Sequence, residues 1–250
     1  MPNFLPIDTI LVPQGAEYQA VCRGLRGVNG SIPTVLPIPV GMKPLLEYLQ
    51  QSPGIGERDK KTRGQGDKGK NQIRIVKARV LIVGLCGSLS DRYGVGDIVL
   101  YQDCLYEGKR QECDRSFTAQ LHSKLSIQNS ALNLVKALTS DRVISSAAEK
   151  QRLGETLAAD VVDMEGFTAL EFFNTAGVDV AMLRVVSDDC QHDIPDLTPA
   201  INSDGSLRPL PLAMTMLRQP IAATRLIRGS LKALKVLETV TNLLFEGGNN

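Results

Sequence analysis

Short apolar runs alternate with stretches of helical spacing along most of this chain. That alternation predicts a largely parallel or mixed sheet covered by helices. TILV (9–12), TVLPIP (34–39) and RVLIVGL (79–85) have the length and apolar content of buried strands. GDIVLYQDCLY (96–106) has β-branched and aromatic strand character, and AADVVDM and VDVAMLRVV (178–186) supply the later sheet. Helical spacing is found in AEYQAVCRGL, KPLLEYLQQ, ALNLVKAL and EGFTALEFFNTAG, with Gly177 placed to end the last of these. No internal repeat interrupts the alternation, so a single domain over 1–250 is expected.

Two segments depart from the pattern. Residues 52–72, SPGIGERDKKTRGQGDKGKNQ, hold one clearly apolar side chain, Ile55, among glycines and charges. So little apolar surface cannot offset the entropy of ordering, and a flexible surface insertion is expected there. The second segment, IAATRLIRGSLKALKVLETVTNLLFEGG after Pro220, predicts one long helix over about 221–245. At 100° per residue, Arg225, Arg228, Lys232 and Lys235 fall within about 80° of one another. Leu226, Ile227, Leu231, Leu234 and Leu237 are expected on the other side. The basic face is either an ordinary solvated surface or a contact for anionic lipid headgroups.

Composition narrows the function classes. The 28 basic and 27 acidic side chains leave a formal charge of +1, and there is no tryptophan. Neither a basic field nor base-stacking platforms are supplied, so nucleic acid is not an expected partner. Cys22, Cys86, Cys104, Cys113 and Cys190 are odd in number and without C-x-x-C spacing. Reduced thiols in a cytoplasmic setting are expected, with no disulfide framework and no metal site. The N-terminus has no basic region of a signal peptide. The most apolar segment, VLIVGLCGSL, is about half the roughly 20 residues a membrane span requires.

The chemistry concentrates in four patches. Glu17 follows a strand and a glycine turn in VPQGAEYQAV. Asp163 and Glu165 follow two valines in VVDMEG. Ser187, Asp188 and Asp189 follow an apolar strand in LRVVSDDC. The fourth patch, GLCGSL, is a small-residue turn where Gly84, Cys86 and Gly87 would let a flat ligand approach the backbone. In open α/β sheets, ligands gather beyond the carboxyl ends of strands, which is where all four patches fall. Singly, each acid is an ordinary cap or turn residue. Buried carboxylates need partners, however, and three such patches in one chain call for a common explanation.

Taken in order, Glu17, V-G-L-C-G-S-L with Y-G-V-G-D-I-V, V-D-M-E-G and R-V-V-S-D resemble the nucleoside phosphorylase/nucleosidase superfamily. Its hydrolytic members include the methylthioadenosine/S-adenosylhomocysteine nucleosidases. The resemblance runs from about residue 9 to 190, excepting 52–72. The stretch AAEKQRLGETLAADVVDME and the tail from IPDLTPAINSDGSLRPL onward resemble the hopanoid-biosynthesis branch, which acts on an adenosine joined to a polycyclic lipid.

The resemblance implies a three-layer αβα fold with a central mixed, mostly parallel twisted sheet. It also implies cleavage of the N-glycosidic bond of a purine nucleoside, an adenosine with a substituted 5′ position. Asp188 matches the residue that protonates or hydrogen-bonds the purine N7, a role that asks for partial burial. Glu165 matches the carboxylate that holds the ribose hydroxyls, with Met164 on the sugar face. Glu17 matches the base that orients and deprotonates water. Asp163 is expected to support the site from behind, Ser187 to orient the Asp188 turn, and Arg184 to pair with an acid inside the fold. His122 and His192 match nothing and are expected to be surface or core histidines. No cofactor is implied, and a homodimer or larger oligomer is.

Relatives use either water or phosphate as acceptor. A carboxylate in PQGAEYQ repels phosphate and favours water, although Arg23 and Arg26 are near in sequence and the hopanoid-type branch keeps phosphorolysis open, with a non-catalytic nucleoside-binding protein on the same fold as the other alternative. The chain departs from its relatives at Ser88, Gly166, Phe167 and Asp189. Adjacent acids Asp188 and Asp189 would raise one another's pKa if both were desolvated.

Overall fold

The computed structural model describes residues 6–52, 78–126, 132–202, 206 and 208–246. The expected insertion at 52–72 lies outside them apart from Ser52. The described elements, in chain order, are β1 (Thr9–Pro13), α1 (Ala16–Gly24), β2 (Thr34–Ile38), α2 (Met42–Gln51), β3 (Arg79–Ser88), β4 (Ile98–Tyr106) and β5 (Lys109–Glu112). They continue with α3 (Arg115–Ser126), β6 (Asn133–Thr139), α4 (Ala147–Leu157), β7 (Val161–Asp163), α5 (Gly166–Thr175), β8 (Asp179–Asp188), α6 (Pro209–Arg218) and α7 (Pro220–Phe245).

The strands form one mixed sheet in the order β2-β1-β3-β7-β6-β4-β5, with β8 bridging β3 and β4. Most of its pairings are parallel; β3–β7, β4–β5 and β4–β8 are antiparallel. The ladder curls until it closes: β3 pairs with β8, β8 with β4, β4 with β6, β6 with β7, and β7 with β3. β8 owes its central place to an almost unbroken apolar run, since a strand covered on both faces needs no alternation.

Helices cover both faces, giving the three layers expected. Leu45 and Leu49 of α2 and Phe167, Leu170 and Phe173 of α5 pack in one core cluster. Ala20 and Val21 of α1, Phe117 and Leu121 of α3 and Leu237 of α7 pack in the other. Ser146 caps the N-terminus of α4, its hydroxyl accepting from the Glu149 N–H at 3.4 Å. α5 ends where expected, with Gly177 at φ +69°.

The structure corrects two local expectations. ALNLVKAL is not a helix; its described part, from Leu132, runs into strand β6, where Val135 and Ala137 turn inward while Leu134 and Lys136 face out. A run this short satisfies both periods, and the gap between β4 and β7 decides it. The apolar band expected on α7 also divides. Leu226 and Leu234 face a cavity and Leu237 the core, but Ile227 and Leu231 are exposed beside the basic residues.

Candidate active site

Four strands end at one cavity of about 410 Å³. β1 ends at Pro13 and turns through Gly15 into α1, which carries Glu17 in its first turn. β7 ends at Asp163, and Glu165 stands at the N-cap of α5, where the helix dipole favours negative charge. β3 brings Cys86 and Gly87, and β8 brings Ser187 and Asp188. Glu17, Cys86, Gly87, Met164, Glu165, Ser187 and Asp188 all line this cavity. Acids from the first helix, the middle of the chain and the end of the last strand therefore share one enclosure.

Gly84 is different from the other predicted residues, because it is not part of the lining. A β-carbon there would collide with Arg184 Nη1 and lie 2.6 Å from Glu17 Oε2. Its role is to let those two side chains lie against the strand. Close approach also explains Gly229 on α7, where a β-carbon would run into the Ser187 carbonyl oxygen. α7 thus rests directly on the end of β8, one residue before Asp188.

Arg184 organises one side of the cavity. It is fully buried; its Nη2 lies 3.1 Å from Asp163 Oδ2 and 3.6 Å from Glu165 Oε2. Asp163 is held further by the Thr139 hydroxyl at 2.9 Å and the Gly166 N–H at 3.1 Å. It is an anchor for the arginine, as expected. Glu165 Oε1 accepts from the Gly41 N–H at 2.9 Å, and Glu17 Oε2 from the Leu85 N–H at 3.2 Å. Burial works against the Arg184 charge, but Asp163, Tyr101, Glu165 and Glu17 outweigh it and hold the guanidinium protonated.

Glu17 is raised to about 7, chiefly by burial, with Arg184 pulling it down and Glu165 pushing it up. The residue stays partly open to the cavity, so water reaching it there moderates the shift. Glu165 is also raised, first by burial and against the pull of Arg184. Burial raises the Cys86 thiol as well, which makes it an inert lining group and not a nucleophile.

The other side of the cavity is built on Lys150, which sequence reasoning missed. Lys150 is buried in α4, and its Nζ bonds Asp188 Oδ1 and, at 2.9 Å, the Asp189 carbonyl oxygen. Ser187 Oγ lies 2.8 Å from Asp188 Oδ2 and 3.1 Å from the Cys86 carbonyl, so its proton orients the carboxylate as expected. The expected pair of mutually raised acids does not form. Asp189 turns away to His192 Nδ1 at 2.9 Å; burial pushes its carboxyl up, but His192 and the Gln191 N–H bring it below its ordinary value. The one signal for Lys150 is its phase: it stands on the same helical stripe as Leu153 and Leu157, where an apolar residue is usual.

Most of the rest of the wall is apolar, with Ile144, Ile194, Leu197, Ile201, Leu226 and Leu234, while Gln14, Arg142 and Ser230 add polar groups. The cavity thus sits where acids converge at the strand ends of a mixed α/β fold. The family model of the phosphorylase superfamily matches residues 71–202, and the chain belongs to that superfamily, whose enzymes act on N-ribosyl bonds. A search of the curated proteins finds no match. Among solved structures, a futalosine hydrolase mutant of Helicobacter pylori superposes with a TM-score of 0.60 at 14% identity, covering 94% of this chain and 98% of that one. The 5′-methylthioadenosine/S-adenosylhomocysteine nucleosidase of the same organism, with butyl-thio-DADMe-Immucillin-A, gives 0.59 at 17% identity, covering 95% and 98%. The Campylobacter jejuni enzyme of that name gives 0.57 at 13%, covering 93% and 99%.

Proposed function

We propose that this protein hydrolyses the N-glycosidic bond of a purine nucleoside, an adenosine whose 5′ position carries an apolar group. The observation that carries this reading is the meeting of Glu17, Glu165 and Asp188 around one cavity, with Glu17 held near neutrality. Glu165 accepts the ribose hydroxyls, Met164 covers the sugar, and the negative charge favours the oxocarbenium character that develops at C1′. Glu17 takes a proton from water as its oxygen bonds to C1′. The purine leaves with the electron pair of the broken bond and is neutralised at N7. The Lys150 ammonium paired with Asp188 is the nearest source of that proton, and the Asp188 carboxylate passes it on to the base.

Water is favoured over phosphate on electrostatic grounds. Three carboxylates, of Glu17, Asp163 and Glu165, surround the guanidinium of Arg184, and the other arginine on the lining, Arg142, is already paired with Glu149 at 2.7 Å. A phosphate dianion would enter a region that already carries excess negative charge. The apolar wall, with Ile194, Leu197 and Leu226, supports a 5′ substituent that is hydrophobic. The futalosine hydrolase and methylthioadenosine nucleosidase structures support the hydrolytic reading by their likeness of fold.

Chromatography of the products tests the reading. The protein is incubated with methylthioadenosine, S-adenosylhomocysteine, 5′-deoxyadenosine and inosine, each with and without phosphate. Free adenine without phosphate is the expected result. Base released only when phosphate is added would replace hydrolysis by phosphorolysis, and no base from any of the four would reject the substrate class.

A further inference from the structure

The outer face of the last two helices is unlike the rest of the surface. From Arg208 to Lys235 the chain has basic residues at 208, 218, 225, 228, 232 and 235 and no aspartate or glutamate. In a protein of net charge +1 that is a strong local excess. Arg218, Arg225 and Arg228 are exposed and pair with no carboxylate among the described residues. Lys232 reaches the Val95 carbonyl at 2.7 Å, and Lys235 pairs with Glu238 at 2.8 Å.

Large apolar side chains are exposed along the same two helices. Leu210, Met214 and Leu217 occupy one stripe of α6, and Leu217 and Ile221, which flank the junction with α7, are each 76% exposed. Leu231 on α7 is exposed as well. A shallow groove of about 620 Å³ opens between Val95 and α7, with Ile221, Arg225, Arg228 and Lys232 in its walls. Soluble surfaces rarely gather apolar side chains of this size in one place without a partner to cover them.

We infer that α6 and the first half of α7 form a docking face for an anionic lipid surface. Charge complementarity selects this occupant. Headgroups neutralise the arginines while Leu210, Leu217 and Ile221 enter the boundary with the acyl chains, the arrangement of an interfacial amphipathic helix. A second copy of the chain is a poorer fit, because a two-fold contact through this face would set its cations against the same cations. No described helix is long and apolar enough to cross a membrane, so the contact is with the surface. The opposite side of α7 lines the cavity with Leu226, Ser230 and Leu234. One helix therefore separates the proposed lipid contact from the proposed active site, and docking would set the apolar cavity wall close to the bilayer.

Vesicle sedimentation tests this without any substrate, so its failure is independent of the nucleosidase reading. The expected result is co-sedimentation of the full chain with vesicles containing about 30 mol% phosphatidylglycerol, weakening with salt, and little with pure phosphatidylcholine. The double variant Arg225→Glu/Arg228→Glu should lose at least about 100-fold in partitioning, at roughly fivefold per unit charge. Leu217→Gln/Ile221→Gln should lose about tenfold, with unchanged circular dichroism and base release in both variants. Absence of wild-type binding to the anionic vesicles would overturn the proposal. So would equal binding by the charge-reversed variant, or a protein dimer on ultracentrifugation that Ile221→Glu dissociates while vesicle binding persists.

Discussion

The two charged sides of the cavity are built on opposite plans. Around Arg184, three carboxylates share one guanidinium, and the group is closed off by Gly84 and the backbone of Leu85 and Gly41. Around Asp188, one carboxylate meets one ammonium, with the Ser187 hydroxyl setting its orientation. The first arrangement leaves surplus negative charge, the second very little. A ribosyl cleavage needs this asymmetry: a stabiliser of positive charge at the sugar and a proton at the departing base. On the proposed reading, the comparison also separates residues assigned to the substrate from those that support them. Asp163 anchors Arg184, which in turn lies against Glu165, and Lys150 fixes Asp188.

Substitutions can break the comparison one side at a time. Asp188→Asn keeps the shape but cannot carry the proton, and base release should fall by roughly 10³-fold or more with KM nearly unchanged. Steady-state kinetics on the best substrate of the panel checks it, and a KM rise with full kcat would refute the role. Arg184→Met should be next in size. It strands buried carboxylates without a cation and should cost about 3–5 kcal/mol of stability, read by urea denaturation. A loss smaller than about 1 kcal/mol would mean the three carboxylates do not depend on the arginine.

Lys150→Met sharpens the other side. Base release should fall by about 100-fold, because Asp188 loses the ammonium that fixes its carboxylate in place. Lys150→Arg, which keeps the charge, should recover part of the rate. An equal loss in both variants would reduce Lys150 to a packing residue. The smallest effect concerns stability. Glu17 binds its proton more tightly in the folded chain, at about 7 against an ordinary 4.5. Folding is therefore opposed as pH rises from 4.5 through 7, and the cost is complete above that. Glu17→Gln removes it, so the variant should be more stable than wild type by on the order of 2 kcal/mol at about pH 8, with the gap closing near pH 5. Parallel urea titrations at the two pH values measure this.

Much of this architecture was readable because burial leaves a plain mark on strands such as β3 and β8, and because a 26-residue helix carries its period many times over. The acids were readable for a similar reason: a carboxylate directly after an apolar strand is out of place unless something binds it. β6 was misread because seven residues cannot separate a period of two from one of about 3.6. Closure of the sheet into a ring depends on pairing between segments far apart, which no local window contains. Lys150 was hidden for the same reason. In AAEKQRLGETL its neighbours are mostly polar, and only the arrival of β8's end, 38 residues later, turns an ordinary lysine into the partner of Asp188. Asp189 erred in the opposite direction, since adjacency in sequence suggested a pair that the turn to His192 pulls apart.

The most direct test of the account is the pH dependence of kcat/KM for adenine release in phosphate-free buffer, for wild type and Glu17→Gln. The wild-type profile should rise with pH through a limb near 7 to a plateau, as Glu17 loses its proton and becomes a base. The variant should be slower by about 10³-fold and lack that limb, while still binding the nucleoside. A wild-type profile without the limb, or a wild-type rate retained in full by the variant, would contradict the account.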